Sequence, residues 1–463
     1  MTDQAPTPEA NRATSSLSIP FQLGFGAGQI GGSILANTPA LILLFFMTDM
    51  LAIPPALAGL AVFLPKVWVI VFDPLMGRIS DHTTSRWGRR RPFILAGALG
   101  CGAGFYFLFD VPAFDTVTAR FIYMTVMFTV VSTAFSIFSV PYLAKAGELA
   151  PDYKGRTTIM AYRIAFQSIG ILIGIGLIRY LVEWGGGGLE GYTFMGAVLA
   201  ATCTITMLSP FFASRAVPTE SVTAPLMPIR EQVRTALDNK PYLTIAAAVT
   251  LYWVAASCVY AGLPYMFSYI VHGSAGLFFD MALYMTLASF VAIPAWTWLA
   301  GRIGKKPTYY ISTFAYCATV LSWLTAAPDQ DSMVVLRGIF VGLTNTGLLM
   351  TAVSMLPDTI EYDRIKTGLR REGIFSGFWM AIEKAGNAMG ALVVGLVLSM
   401  MGFVESAGGA PVEQTESALN GILVAFAVVP VLLMLAGLVI LKAYRLDEET
   451  LRTMRQDAAP PSA

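Results

Sequence analysis

The sequence predicts an all-α integral membrane protein that crosses the bilayer twelve times, in two six-helix bundles. Of its 463 residues, 56% are hydrophobic and only 13% are charged, whereas a soluble domain carries roughly 25% charged residues. Apolar runs recur along the whole chain, and a transmembrane helix needs about 20 such residues. Basic residues gather on alternate connections between the runs, as the positive-inside rule expects.

Twelve apolar runs, separated by proline, glycine or charged residues, are long enough to cross a bilayer as helices. The fifth and sixth runs are close neighbours, separated by Trp184 and four glycines. The predicted spans are residues 21–48, 55–80, 92–110, 117–145, 158–183, 191–213, 241–271, 278–300, 307–327, 331–357, 373–402 and 417–443.

The distribution of Lys and Arg predicts the orientation. With both termini cytoplasmic, 24 of the 30 basic residues lie in cytoplasmic segments or at helix edges, and the external loops contain none. We therefore expect a multi-pass protein of the cell (inner) membrane with both termini inside. The amino-terminal segment has one basic residue, Arg12, and no signal-peptide pattern, so the first apolar run is expected to remain as a helix.

The long polar connection over residues 214–240 divides the chain into two halves. The predicted organisation is a tail over 1–20, a bundle over 21–213, this linker, a bundle over 241–443 and a tail over 444–463. A faint repeat supports the division, because Gly77-Arg78-Ile79 after the second span recurs as Gly301-Arg302-Ile303 after the eighth. Two such halves are typical of the major facilitator fold, in which the substrate binds at the midplane.

Composition and residue spacing argue against other classes of protein. The formal net charge of +1 gives no reason to expect a nucleic-acid partner. No group of cysteines and histidines has the spacing of a metal site or an activated nucleophile, so neither an enzyme nor a bound metal is expected. The residues concerned are Cys101, Cys203, Cys258, Cys317, His82 and His272.

Charged residues inside spans are candidates for function, because a charge in the bilayer is costly unless it is paired or hydrated. Asp73 lies on the second span, and Lys66 precedes it by seven residues on the same helical face. Lys384 lies near the middle of the eleventh span, next to Glu383. Asp73, Lys66 and Lys384 are therefore predicted to couple to Na⁺ or H⁺. The alternative is that Asp73 only pairs with a base to hold helices together.

Polar and aromatic residues on several spans predict a substrate cavity. Gln29, Ser33 and Asn37 follow each other at four-residue intervals and form one stripe on the first span. Such groups suit a sugar, which presents hydroxyl groups at its edge and C–H groups on its faces. The alternative for each residue is an interhelical hydrogen bond. The other candidates on these spans are Ser139, Tyr142, Trp253, Tyr260 and Asn345.

The loop after the second span predicts a conformational latch. It reads Gly77-Arg78-Ile79-Ser80-Asp81 and continues to Arg89-Arg90-Arg91-Pro92. Asp81 can accept hydrogen bonds from a neighbouring helix end, and the three arginines can bind acidic partners. The alternative is that these charges serve only to fix topology.

This loop resembles that of the glycoside–pentoside–hexuronide:cation symporter family, to which the melibiose carrier belongs. The Gly-Arg-Arg-Arg-Pro form is also similar to sucrose transporters. Further matches are Glu148-Leu149 with Asp152 and Arg156, the segment from Leu356 to Asp363 followed by Thr367 to Gly373, and Lys384-Ala385-Gly386. The matches follow in order from the second to the eleventh span.

The resemblance implies roles for individual residues. Asp73 would belong to the cation site, Lys384 would link that site to the substrate, and Arg163 would match the family's fifth-span arginine at the sugar. The matched loops supply the predicted gating residues: Asp81, Arg89, Arg90, Arg91, Glu148, Asp152, Arg156, Asp358, Glu361 and Arg370.

The chain also departs from the family's pattern. Val69 stands where a second aspartate would lie, and Ser33 and Ser139 stand where sugar-binding aspartates would lie. A hard cation prefers several oxygen ligands, whereas a proton needs one carboxylate. We therefore expect a monomeric transporter without a cofactor that moves a sugar or glycoside with H⁺ rather than Na⁺. The alternative substrate is amphiphilic or lipid-like.

Overall fold

The computed structural model describes residues 19–148, 153–216, 229–369, 371–409, 412–446 and 448–458. Within these residues the regular structure is helical, and the β-pairing is one isolated antiparallel bridge between Leu51 and Ala407. Helices are favoured because the hydrocarbon core offers no hydrogen-bond partners, so each segment must satisfy its own backbone groups. The all-α prediction is confirmed.

Seven helices precede the polar linker. They are α1 Ile19–Asp49, α2 Pro55–His82, α3 Arg91–Phe109, α4 Val117–Glu148, α5 Tyr153–Ile171, α6 Ile178–Trp184 and α7 Gly188–Ala213. A π-helical turn, Leu172–Gly176, lies between α5 and α6, so the two helices make up one predicted span.

The described residues from 229 onwards form nine further α-helices. They are α8 Ile229–Asp238 in the linker, then α9 Lys240–Tyr265, α10 Ala275–Ile303, α11 Lys305–Leu321, α12 Asp331–Thr367, α13 Glu372–Met400, α14 Glu416–Leu423, α15 Val429–Leu441 and α16 Glu448–Ala458. Short π-helical segments continue α9 through Met266–Val271 and join α14 to α15 through Val424–Val428.

The described part of the chain contains eleven helices that are long and apolar enough to cross a membrane. They correspond to eleven of the twelve predicted spans. The remaining one, 307–327, coincides with α11, whose 17 residues continue into the 3₁₀ turn Ser322–Thr325. Together these two segments have the length of a transmembrane helix.

The chain forms two compact units, and three helices are divided between them. Among the described residues, the first unit contains 19–38, 71–113, 126–148 and 153–216. The second contains 39–70, 114–125 and the described residues from 229 onwards. The last part of α1 and the first parts of α2 and α4 therefore belong to the second unit. The predicted organisation into bundles over 21–213 and 241–443 stays a prediction.

Glycines allow close helix packing in the first unit. A Cβ on Gly28 would lie 2.4 Å from Pro210 Cγ of α7, and a Cβ on Gly170 would lie 2.5 Å from the backbone oxygen of Ile30. α1 is thus packed tightly between α7 and α5, as small residues permit in membrane helices. This contact fixes the polar stripe of α1 relative to α5.

The second unit uses the same device between α9 and α13. A Cβ on Gly386 would lie 2.5 Å from Trp253 Cβ, and one on Gly390 would lie 2.3 Å from Ser257 Cβ. Elsewhere in this unit α10 packs along α12, and α15 packs on α9. Lys384 is therefore held on a helix whose distance from α9 is set by glycine.

Substitution of Gly390 tests this packing. Gly390→Ala places a methyl group against Ser257 and should destabilise the protein by about 1–3 kcal/mol, as overpacking does. Gly377→Ala on the same helix is the control, because its Cβ meets nothing within 4 Å. The measurement is the apparent melting temperature of the detergent-solubilised variants. Equal melting temperatures would contradict the close contact between α9 and α13.

Candidate functional site

Asp73 lies on α2 in the first unit and accepts a hydrogen bond from Ser136 Oγ of α4. Ser136 is buried, with 1% of its surface exposed, whereas Asp73 is half-buried. A hydroxyl donor stabilises a carboxylate in an apolar environment without neutralising its charge. Ser136 was visible in the sequence only as one of three serines on the fourth span, and the fold identifies it as the partner of Asp73.

Lys66 and Asp73 lie on either side of the division between the units. The second unit includes α2 up to Ile70, and the first unit includes α2 from Val71. Both charged side chains are half-buried. Val69, one turn before Asp73, is 7% exposed. One turn before Asp73 there is therefore a buried aliphatic side chain, at the position where the family resemblance would place a second aspartate.

Arg163 of α5 meets two other predicted substrate residues. Its Nη2 donates to Gln29 Oε1 at 3.0 Å, and its guanidinium carbon lies 4.8 Å from the centre of the Tyr142 ring. Its Nη1 faces Met160 Sδ at 3.4 Å, and its Nε is buried without a hydrogen-bond acceptor. Among the described residues, no carboxylate forms a salt bridge with Arg163. The guanidinium is thus held by neutral groups.

Tyr142 and the polar stripe of α1 belong to the same unit. The Tyr142 hydroxyl donates to the Phe25 backbone oxygen at 2.7 Å, which fixes its ring under Arg163. Asn37 Nδ2 donates to the backbone oxygen of Ser33 at 2.8 Å. The Ser33 hydroxyl is buried and has no partner among the described residues.

The candidates in the second unit are arranged around α9. Tyr252 Oη donates to Asn345 Oδ1 at 3.0 Å, so the side-chain oxygen of Asn345 already accepts a hydrogen bond. The Trp253 ring lies 5.1 Å from the Tyr252 ring, and Trp253 Nε1 is buried without an acceptor. Tyr252 was not selected from the sequence, because it and its neighbour Trp253 are both aromatic residues in the same apolar run. Only the packing of α9 on α12 shows that Tyr252 is the residue that contacts Asn345.

The remaining candidates lie on three different helices. Ser139 is half-buried on α4, Tyr260 is half-buried on α9, and Lys384 is half-buried beside Glu383 on α13.

The predicted latch of the first unit forms two different contacts. Arg90 Nη2 lies 2.9 Å from Asp81 Oδ1, and the Arg90 side chain is only 9% exposed. Arg91 instead donates from Nε and Nη2 to the Phe211 backbone oxygen, and its guanidinium stacks 4.5 Å from the Phe211 ring centre. Arg91 therefore binds the last turn of α7, whereas Arg90 binds the acidic residue Asp81. Arg89 is half-buried in the same loop.

The corresponding contacts of the second unit involve residues of α11, α12 and α13. Lys305 Nζ donates to both carboxylate oxygens of Asp358, at 2.8 and 2.7 Å. Arg371 lies 2.8 Å from Asp363 in a pair that is 16% and 9% exposed. Glu361 is 4.0 Å from Arg364, one turn further along α12. Asp363 and Arg371 were not selected from the sequence, although the matched segments contain both.

Some predicted gating residues lie outside the described part of the chain. Asp152 and Arg370 are not among the described residues, and the side chains of Glu148 and Arg156 are not described.

A sequence model described as MFS/sugar transport protein matches residues 24–448. The chain belongs to the MFS/sugar transport protein family. The match covers every predicted span apart from the first three residues of the first one. The resemblance to glycoside–pentoside–hexuronide:cation symporters of the major facilitator superfamily is therefore confirmed.

Individual relatives have low sequence identity to this chain, but each of them aligns with almost its whole length. The inner membrane symporter YicJ of Escherichia coli (strain K12) is 26% identical over 96% of this chain and 95% of its own. The isoprimeverose transporter of Lactiplantibacillus pentosus is 26% identical over 91% of this chain and 88% of its own. The crystal structure of a mutant of the nucleoside transporter NupG has a TM-score of 0.63 at 14% identity, over 91% of this chain and 99% of that one.

These comparisons establish the general class of the protein. This protein is a multi-pass membrane transporter and not an enzyme. The likeness to NupG confirms the major facilitator fold and carries no information on substrate.

The buried ion pair of the second unit should matter more for stability than an exposed one. Asp363→Asn removes the carboxylate from Arg371 and should destabilise the protein by on the order of 2 kcal/mol, because the guanidinium keeps its desolvation cost. Asp238→Asn is the control, since the Arg234–Asp238 pair is 4.0 Å apart and 83% and 74% exposed. Its expected effect is below about 1 kcal/mol. Thermal unfolding in detergent measures both, and equal losses would contradict this ranking.

Proposed function

We propose that this transporter moves a sugar or glycoside into the cell together with H⁺, with both termini in the cytoplasm. The observation that carries the proposal is the pair of polar groups in the first unit. One is the Asp73 carboxylate with its Ser136 donor, and the other is Arg163 with Gln29 and Tyr142. A carboxylate that can exchange a proton would serve the coupling, and an arginine with neutral partners would serve substrate binding.

The substrate side of the proposal rests on how Arg163 is held. Its described partners are an amide oxygen, a thioether and an aromatic face. A planar guanidinium whose Nε has no acceptor among the described residues can donate two parallel hydrogen bonds to adjacent oxygens of a sugar. The Tyr142 ring and the partnerless Ser33 hydroxyl supply an apolar face and a polar contact nearby on the same unit. The isoprimeverose transporter among the relatives supports a glycoside as the substrate class.

The choice of H⁺ over Na⁺ rests on the ligands around Asp73. Val69 leaves one carboxylate where two would favour a hard cation. A single carboxylate that gains and loses a proton needs no second carboxylate.

Further residues take proposed roles in the same cycle. Lys66 and Lys384 are assigned to cation coupling, and Lys384 also to substrate binding. The other residues assigned to substrate binding are Ser33, Asn37 and Ser139 in the first unit and Trp253, Tyr260 and Asn345 in the second. The Arg90–Asp81 and Lys305–Asp358 pairs stabilise one cytoplasmic conformation and separate in the other.

Asp73→Asn should abolish accumulation against a gradient, because an amide cannot exchange a proton in this pH range. A panel of radiolabelled glycosides, disaccharides and hexuronates, driven by a pH gradient, first identifies the substrate. The variant should then equilibrate that substrate without concentrating it. Asp115→Asn is the control, since Asp115 lies exposed in the connection between α3 and α4. Concentrative uptake by Asp73→Asn at the wild-type level would remove Asp73 from the mechanism.

Substrate addition should also move protons. When substrate is added to de-energised cells without sodium, the external medium should become more alkaline as H⁺ enters with it. A pH electrode in a weakly buffered suspension records the change. Cells that carry Asp73→Asn serve as the control and should give no signal. Uptake that requires Na⁺ and leaves the external pH constant would contradict the proton proposal.

A further inference from the structure

The end of α1 remote from the amino terminus carries a second buried carboxylate, which no part of the proposed transport site uses. Asp49 is 3% exposed and accepts hydrogen bonds from hydroxyl groups. The Tyr269 hydroxyl donates to Oδ1, and Thr48 Oγ1 lies 2.5 Å from Oδ2. Tyr265 Oη lies 2.7 Å from the same Thr48 oxygen. Among the described residues, no basic side chain forms a salt bridge with Asp49.

The backbone at this point is bonded to the loop between α13 and α14. The Ser406 amide donates to the Thr48 backbone oxygen at 3.0 Å, and the Ser406 hydroxyl donates to the Asp49 backbone oxygen at 2.7 Å. The Ala52 amide donates to a backbone oxygen of the loop, and the amides of Gly408 and Gly409 donate to backbone oxygens at the end of α1, at 2.9–3.0 Å. We call Thr48, Asp49, Tyr265, Tyr269 and Ser406 the Asp49 cluster. All five residues belong to the second unit.

The cluster joins segments that are far apart in the sequence. Thr48 and Asp49 end the first membrane helix, whereas Tyr269 follows α9, 220 positions later. The division between units crosses α1 between Thr38 and Pro39, and Pro39 lies inside the helix. Proline removes a backbone hydrogen bond and weakens a helix at that turn. The segment from Pro39 to Asp49 can therefore change direction at Pro39.

One residue beside the cluster has a strained backbone. Ala52 has φ of +48°, a left-handed conformation that alanine rarely adopts. Its amide donates to the Ser406 backbone oxygen at 3.0 Å. A strained conformation of this kind persists only where surrounding contacts impose it. The contact with the 403–409 loop is one of those that surround Ala52.

We propose that the Asp49 cluster is the gate on the outer side of the transporter, and that Asp49 and Tyr269 are the residues that position it. That this end of α1 faces outwards rests on the proposed cytoplasmic termini; the gate itself does not depend on the sugar or on H⁺. Contacts between hydroxyls, a carboxylate and backbone groups can be exchanged for hydrogen bonds to water when they separate. The cluster holds this end of α1 to the end of α9 and to the loop between α13 and α14, and the segment beyond Pro39 moves away from them when the gate opens.

A reporter cysteine measures opening without knowledge of the substrate. Ser406→Cys places a thiol of similar size at a position that is 5% exposed. The four native cysteines are buried and supply the background. Intact cells are treated with a membrane-impermeant fluorescent maleimide, and the labelling rate is recorded. Tyr269→Phe in the reporter background removes one donor to the buried carboxylate and should accelerate labelling about tenfold.

Arg120→Gln is the matched control for local loosening. Arg120 Nη1 donates to the Leu51 oxygen at 2.9 Å and so braces the same connection, but its described contacts involve neither Tyr269 nor the 403–409 loop. Labelling should stay at the rate of the reporter alone. An equal increase in both variants would mean general fraying and would overturn the proposal. Labelling that occurs only in inverted vesicles would overturn the outer assignment.

A disulfide lock tests whether opening is needed for transport. Leu51 and Ala407 form an antiparallel bridge, and the Cα separation in such pairs, about 4.5–5.5 Å, lies within the range of disulfides. With Leu51→Cys and Ala407→Cys, oxidation should stop uptake of the substrate found by the glycoside panel, and dithiothreitol should restore it. Each single cysteine is the control. Uptake at the full rate in the oxidised pair would overturn the gate. If the panel yields no substrate, the proposed function fails and the labelling rates still decide this proposal.

Discussion

The structure depends on the cost of leaving a polar group unsatisfied in hydrocarbon. Lipid offers no hydrogen-bond partner, so backbone groups are satisfied within helices and hydroxyl side chains turn back onto them. Thr125 and Thr133, for example, donate to the carbonyl oxygens four residues earlier on α4. A side chain such as Ser33, whose buried hydroxyl has no partner, is therefore an exception with a specific place in the fold. The candidate site is built from such exceptions.

Close packing at glycine determines which of these exceptions meet. α1 lies against α7 at Gly28 and against α5 at Gly170, so Gln29 comes within hydrogen-bond distance of Arg163. The same helix continues past Pro39 into the second unit and ends at Asp49. One helix thus carries a polar stripe in one unit and a buried carboxylate in the other. This links the substrate side of the proposed mechanism to its gate.

The charged groups of the site and those of the loops are held in different ways. Arg163 is held by neutral partners, and Asp73 accepts a hydrogen bond from a hydroxyl. Asp363, in contrast, forms a short, buried ion pair with Arg371. An ion pair stabilises one arrangement, whereas a guanidinium with neutral partners keeps its capacity to bind a ligand. This difference supports the proposed substrate role of Arg163 and a structural role for the Asp363–Arg371 pair.

The sequence alone determined the membrane class, the helical spans and the family, because hydropathy and loop motifs are local properties of the chain. It also selected Gln29, Tyr142 and Arg163, since a polar group in an apolar run is unusual wherever it occurs. Tertiary structure decided which groups meet. The partnership of Asp49 with Tyr269, and the choice of Phe211 as the acceptor for Arg91, depend on how distant helices pack. No local pattern records such contacts, because each side chain is ordinary until its neighbour is known.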